Sequence, residues 1–72
     1  MRNSTDKEEQ MKSITIIERD QFGYDRTFVI YPREAGGVFL AEVDPDFGFE
    51  SSLGFYGSEA AAIDRINVLV GK

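Results

Sequence analysis

Seventy-two residues hold one domain at most, with 42% hydrophobic residues, six Phe and three Tyr, too apolar a composition for a disordered chain. Cysteine and histidine are both absent, which excludes disulfides and thiolate zinc sites and removes the commonest metal ligand and general base. The formal net charge of −5 favours solubility and opposes binding to phosphate.

The N-terminal stretch, residues 1–12, is polar and of mixed charge, with no apolar leader region, and is predicted to be a flexible tail. No run approaches the roughly 20 apolar residues of a membrane span, so a cytoplasmic protein is expected. A single domain is predicted over residues 13–72.

Ile14-Thr15-Ile16-Ile17-Glu18 alternates and is rich in β-branched side chains, predicting a half-buried strand. A turn centred on Gly23 follows, and Thr27–Tyr31 reads as a second strand stopped at Pro32. After the Gly36-Gly37 turn, Val38–Val43 forms a third strand. Its Phe39, Ala41 and Val43 face one way and Leu40 and Glu42 the other. Pro45, Gly48 and polar neighbours then break the pattern across 44–52, and Leu53–Tyr56 returns as a short fourth strand.

Beyond Gly57 the period changes. Ser58 is the N-cap of a helix, Glu59 sits where a negative charge suits the helix dipole, and Gly71 closes the far end. Ala62, Ile63, Ile66, Leu69 and Val70 fall on one stripe, while Ala61, Asp64, Arg65 and Val68 lie on the other side. The fold class predicted is α+β, an antiparallel three- to four-stranded meander with one C-terminal helix packed on one sheet face.

Between Arg33 and Arg65 the chain carries Glu34, Glu42, Asp44, Asp46, Glu50, Glu59 and Asp64 and not one Lys or Arg. Such a tract either solvates a surface or builds a negative potential that attracts a cationic partner. Phe47, Phe49, Phe55 and Tyr56 interleave with it, as aromatic anchors do within charged interface rims. They serve equally as core residues, and at least two of the four are expected to be buried. The residues assigned to partner binding are Glu42, Asp44, Asp46, Phe47, Phe49, Glu50 and Asp64.

Other chemistries fit poorly. Asp44, Asp46 and Gly48 begin like a calcium loop, but Pro45 takes the second place, Gly48 replaces a ligand and Phe55 stands where a bidentate Glu belongs. Gly36-Gly37 and Gly54-x-x-Gly57 lack the Lys and the helix-opening pattern of phosphate loops. No nucleophile and base are evident together, so no enzymatic activity, no cofactor and no metal are expected.

From Thr27 to Val70 the order is strand, Gly36-Gly37 turn, a strand with Phe39, Ala41 and Val43, a Pro45-Asp46 loop with Gly48, then Ser52, Gly54 and a helix opening at Glu59, Ala60 and Ile63. This pattern resembles the HicB-like antitoxin family. The resemblance implies a partial RNase H-like fold and a small basic ribonuclease toxin as partner. Two features depart from the family: a strand at Ile14–Arg19 precedes the core, and the sequence ends at Lys72 without the family's C-terminal DNA-binding segment, so repression is not expected.

The function expected is inhibition of a basic nucleic-acid-handling protein, in an antitoxin-like role or as a phage-borne anti-defence or anti-CRISPR inhibitor acting by nucleic-acid mimicry. Direct nucleic-acid and membrane binding are not expected, and the chain is read as a monomer or homodimer. The alternative is a structural module that self-associates through its open sheet face.

Overall fold

The computed structural model describes residues 12–72; the predicted tail lies outside the described residues except for Lys12. Four strands follow in chain order, β1 (Ile14–Arg19), β2 (Asp25–Pro32), β3 (Val38–Val43) and β4 (Glu50–Tyr56), and a helix, α1 (Glu59–Val70), closes the chain. The strands form one antiparallel sheet in the order β1-β2-β3-β4. The α+β meander with a C-terminal helix is therefore the architecture of this protein. No helix among the described residues is long and apolar enough to cross a membrane.

The register sorts every strand residue onto one of two faces, because the side-chain period along a strand is two. Ile16 pairs with Phe28 and Phe28 with Glu42, while Ile14, Ile30 and Leu40 align in a second row. These residues face α1. There Phe28, Ile30, Val38 and Leu40 meet Ala62, Ile66 and Val70, three helix positions four residues apart and hence on one stripe. Phe28, Ile30, Leu40 and Ile66 are fully buried, each contributing about 1.5–3 kcal/mol of hydrophobic stabilisation. Ile63 and Leu69 pack against this core from the flanks of the stripe.

Local signals delimit the helix as the sequence predicts. The Ser58 hydroxyl accepts a hydrogen bond from the Ala61 amide at 3.1 Å, and Glu59 occupies the first turn. At the other end Gly71 adopts φ +88°, and the Lys72 and Gly71 amides donate back to the Asn67 and Val68 carbonyls, a Schellman closure.

The fourth strand corrects the sequence reading. It begins at Glu50 rather than Leu53, since Ser51 and Ser52 pair with Glu42 and Ala41 on an edge, where polar side chains cost little. The register shifts between Leu40 and Ala41, whose partners are Gly54 and Ser52. That bulge turns Leu53 toward the core.

The aromatic expectation also needs correction. Phe47, Phe49 and Phe55 are 75%, 71% and 64% exposed, so three of the four rings form no core at all. Only Tyr56 packs against it. Phe55 pairs with Phe39 on the face away from α1, whereas Phe47 and Phe49 belong to a loop that no strand carries inward.

Candidate interaction surface

Because a meander reverses at each turn, the β1–β2 turn and the β3–β4 loop return to the same end of the sheet. The C-terminus of α1 lies there too, since a Cβ at Gly71 would stand 2.9 Å from the Gln21 side chain. This end gathers most of the residues assigned to partner binding.

The β3–β4 loop is built around Asp44. Its amide donates to the Phe49 carbonyl at 2.7 Å, its carbonyl accepts from the Gly48 amide at 2.8 Å, and its carboxylate accepts from the Asp46 amide at 2.9 Å. Gly48 takes φ +77°, a conformation that a side chain would strain. The loop so closed holds Phe47 and Phe49 outward, their rings stacked with centroids 6.1 Å apart and planes 27° apart. Glu50, the first residue of β4, accepts a hydrogen bond from the Tyr31 hydroxyl at 2.7 Å. That bond, with smaller contributions from burial and the charge of Glu50, raises the Tyr31 pKa above its ordinary value.

The β1–β2 turn repeats the plan. The Asp20 carboxylate accepts from the Phe22 and Tyr24 amides, both at 2.9 Å, which presents two more rings to solvent. Phe22 and Tyr24 are 76% and 71% exposed, matching Phe47 and Phe49. Sequence reasoning overlooked this pair, because the turn chemistry at Gly23 explained the segment locally and only the topology brings it to the same end of the sheet as the acidic loop.

The electrostatics of this end follow from its pairings. Arg19 meets Asp25 at 3.2 Å, Arg26 grips Glu42, and Lys72 bonds to Glu18. Asp20, Asp44, Asp46 and Glu50 form no ion pair among the described residues. The described cations near this end, Arg19, Arg26 and Lys72, are thus paired, and the described carboxylates left over give this end a negative, aromatic surface.

Two assigned residues stand apart from it. Glu42 faces α1, where both its oxygens are held by Arg26 at 2.7 Å. Asp64 is exposed on the outer side of α1, on a different element from the loop. The structure therefore groups Asp44, Asp46, Phe47, Phe49 and Glu50, and leaves Glu42 and Asp64 outside the group.

A further aromatic row crosses the sheet face away from α1. Tyr31 and Phe39 lie 6.1 Å apart, Phe39 and Phe55 lie 5.0 Å apart, and the Arg33 guanidinium sits 4.5 Å from the Phe55 ring centre. No described element packs on this face. Among the described residues, no group of three or more His, Cys, Asp or Glu side chains is placed to hold a metal ion. Compared with known proteins, the chain matches no family model, no curated protein and no solved structure.

Proposed function

We propose that this chain is a non-enzymatic inhibitor whose acidic, aromatic end binds the basic, nucleic-acid-handling surface of another protein. One observation carries the reading: Phe47 and Phe49 project from a loop whose carboxylates have no cationic partner among the described residues, while the neighbouring cations are already paired. Exposed rings supply the apolar anchor and free carboxylates supply the match to Lys and Arg, so the surface competes with phosphate for the same groups. Phe22 and Tyr24 expose two more rings at the same end of the sheet.

The resemblance to HicB-like antitoxins supports an antitoxin version of this role, with a small basic ribonuclease as target. A phage-borne inhibitor of a host nuclease or CRISPR effector uses the same electrostatics. Self-association, the alternative reading, draws on the aromatic row Tyr31–Phe39–Phe55 and is excluded by a strict monomer at high concentration.

The test is capture from a bacterial lysate on immobilised protein at low and high salt, with the Phe47→Ala/Phe49→Ala double variant in parallel. Nucleic-acid-binding proteins should be retained at low salt, released as the Debye length shrinks from about 10 Å at 0.1 M to about 3 Å at 1 M, displaced by added RNA or DNA, and lost with the double variant. Retention of no such protein, or retention indifferent to the two rings, overturns the proposal.

A further inference from the structure

We infer that the group this surface takes from its partner is an arginine guanidinium, laid on the Phe47 and Phe49 rings and paired to Asp46, in preference to a lysine ammonium. The inference rests on the inhibitor reading and names the side chain that the basic partner must present.

The fold already contains a filled site of this kind. Phe28 and Glu42 are cross-strand partners on the face toward α1, and together they hold Arg26. Its guanidinium lies 5.5 Å from the Phe28 ring centre, while two of its nitrogens each donate to a Glu42 oxygen at 2.7 Å. A guanidinium can do both at once, because it is planar, weakly hydrated and carries its N–H donors as a fork in its own plane. Arg33 repeats the stacking half of the arrangement, 4.5 Å from the Phe55 ring centre. Neither described lysine, Lys12 or Lys72, sits over a ring.

The β3–β4 loop offers the same components with no cation to join them. Its backbone closure holds the Phe47 and Phe49 rings in place and exposed, so little ordering is left for a partner to impose. Its carboxylates differ in what they have left to give. Asp44 is engaged by the Asp46 amide and Glu50 by the Tyr31 hydroxyl, whereas the Asp46 carboxylate meets no donor among the described residues.

These components select the occupant. An apolar segment would cover the rings but leave Asp46 desolvated without a partner, and a phosphate would be repelled. An ammonium would satisfy Asp46, yet it stays strongly hydrated and gains less from a ring face. A guanidinium satisfies rings and carboxylate together, as Arg26 does with Phe28 and Glu42.

NMR titration of the full chain with hexa-arginine and with hexa-lysine tests it, since the two peptides carry equal charge and differ chiefly in the head group. At about 0.15 M salt hexa-arginine should bind about fivefold tighter or more, with the largest ring-proton shifts at Phe47 and Phe49. The Phe47→Ala/Phe49→Ala variant should bind the two peptides alike, and Asp46→Asn should weaken hexa-arginine more than hexa-lysine. All three positions are exposed, and circular dichroism establishes that each variant is folded. Equal affinity of the wild type for both peptides overturns the inference and leaves charge-driven capture of a basic partner in place. A preference for hexa-arginine that survives loss of both rings overturns it too. Binding of neither peptide removes the inhibitor reading along with it.

Discussion

Arg26 holds Glu42 with two hydrogen bonds of 2.7 Å and spends its remaining arm on the Leu69 carbonyl at 3.0 Å, so one guanidinium fastens β2 to β3 and both to the end of α1. The last turn of α1 contains no basic residue of its own. Arg26 therefore supplies from the sheet the cation that the helix dipole favours there. Its pKa is raised, chiefly by the bond to Glu42. Both side chains are less than one-third exposed, which places the pair above the yield of a surface ion pair and below that of a fully buried one. Arg26→Ala should cost about 2 kcal/mol in chemical denaturation, and Arg26→Lys should recover only part, since Lys cannot span both Glu42 oxygens and Leu69 at once. A loss below about 0.5 kcal/mol contradicts this account.

Gly36 and Gly37 form one turn but differ in surroundings. Both take positive φ, +107° and +73°, yet a Cβ at Gly36 meets nothing within 4 Å, while one at Gly37 would lie 2.6 Å from the Tyr56 carbonyl oxygen. Gly36→Ala should show the conformational penalty alone, about 1–2 kcal/mol. Gly37→Ala should cost distinctly more, because the end of β4 must move. Equal losses in thermal or urea melts would argue against the close approach of this turn to Tyr56.

The helix orientation can be checked with two substitutions in the same element. Ile66 is 1% exposed and Val68 63% exposed, so they sample the two sides of α1. Ile66→Ala should cost about 2–5 kcal/mol, comparable with the whole stability of a domain this small, and Ile66→Val about 0.5–1.5 kcal/mol. Val68→Ala should stay within about 0.5 kcal/mol. Reversal of that order would place the wrong face of α1 on the sheet.

What the sequence disclosed was local. Ser58, Gly71 and the 62–66–70 spacing define α1 within a single stretch of chain, the alternation at 14–18 marks a strand, and that at 38–43 marks a strand and separates its two faces correctly. The opening of β4 was hidden because Glu50, Ser51 and Ser52 earn their strand through pairing with β3, not through apolar alternation. Phe55 escaped the core for a related reason: the bulge at Leu53 resets the alternation, and Gly54, the strand glycine that marks it, does not by itself say which way the following ring turns. The acidic loop was legible since Asp44 to Glu50 are contiguous. Its union with Phe22 and Tyr24, and the withdrawal of Glu42 by Arg26 from 16 residues away, depend on topology and register.

The bond between Tyr31 and Glu50 makes a prediction with a definite sign. The Tyr31 hydroxyl donates to the Glu50 carboxylate, and losing its proton would set a phenolate against that carboxylate, so the folded pKa lies above the ordinary value of 10.0. A group whose pKa is raised on folding contributes stability that is fully present below its unfolded pKa and is lost as pH rises through the folded one. Unfolding free energy should therefore decline above pH 10.0, and Tyr31→Phe should remove that component of the decline. Tyrosinate absorbance supplies an independent readout: the step missing from Tyr31→Phe should be the one that Glu50→Gln shifts to lower pH. If Glu50→Gln leaves that step in place, the carboxylate does not govern Tyr31, and the diagonal tie between β2 and β4 on the face away from α1 is absent in solution.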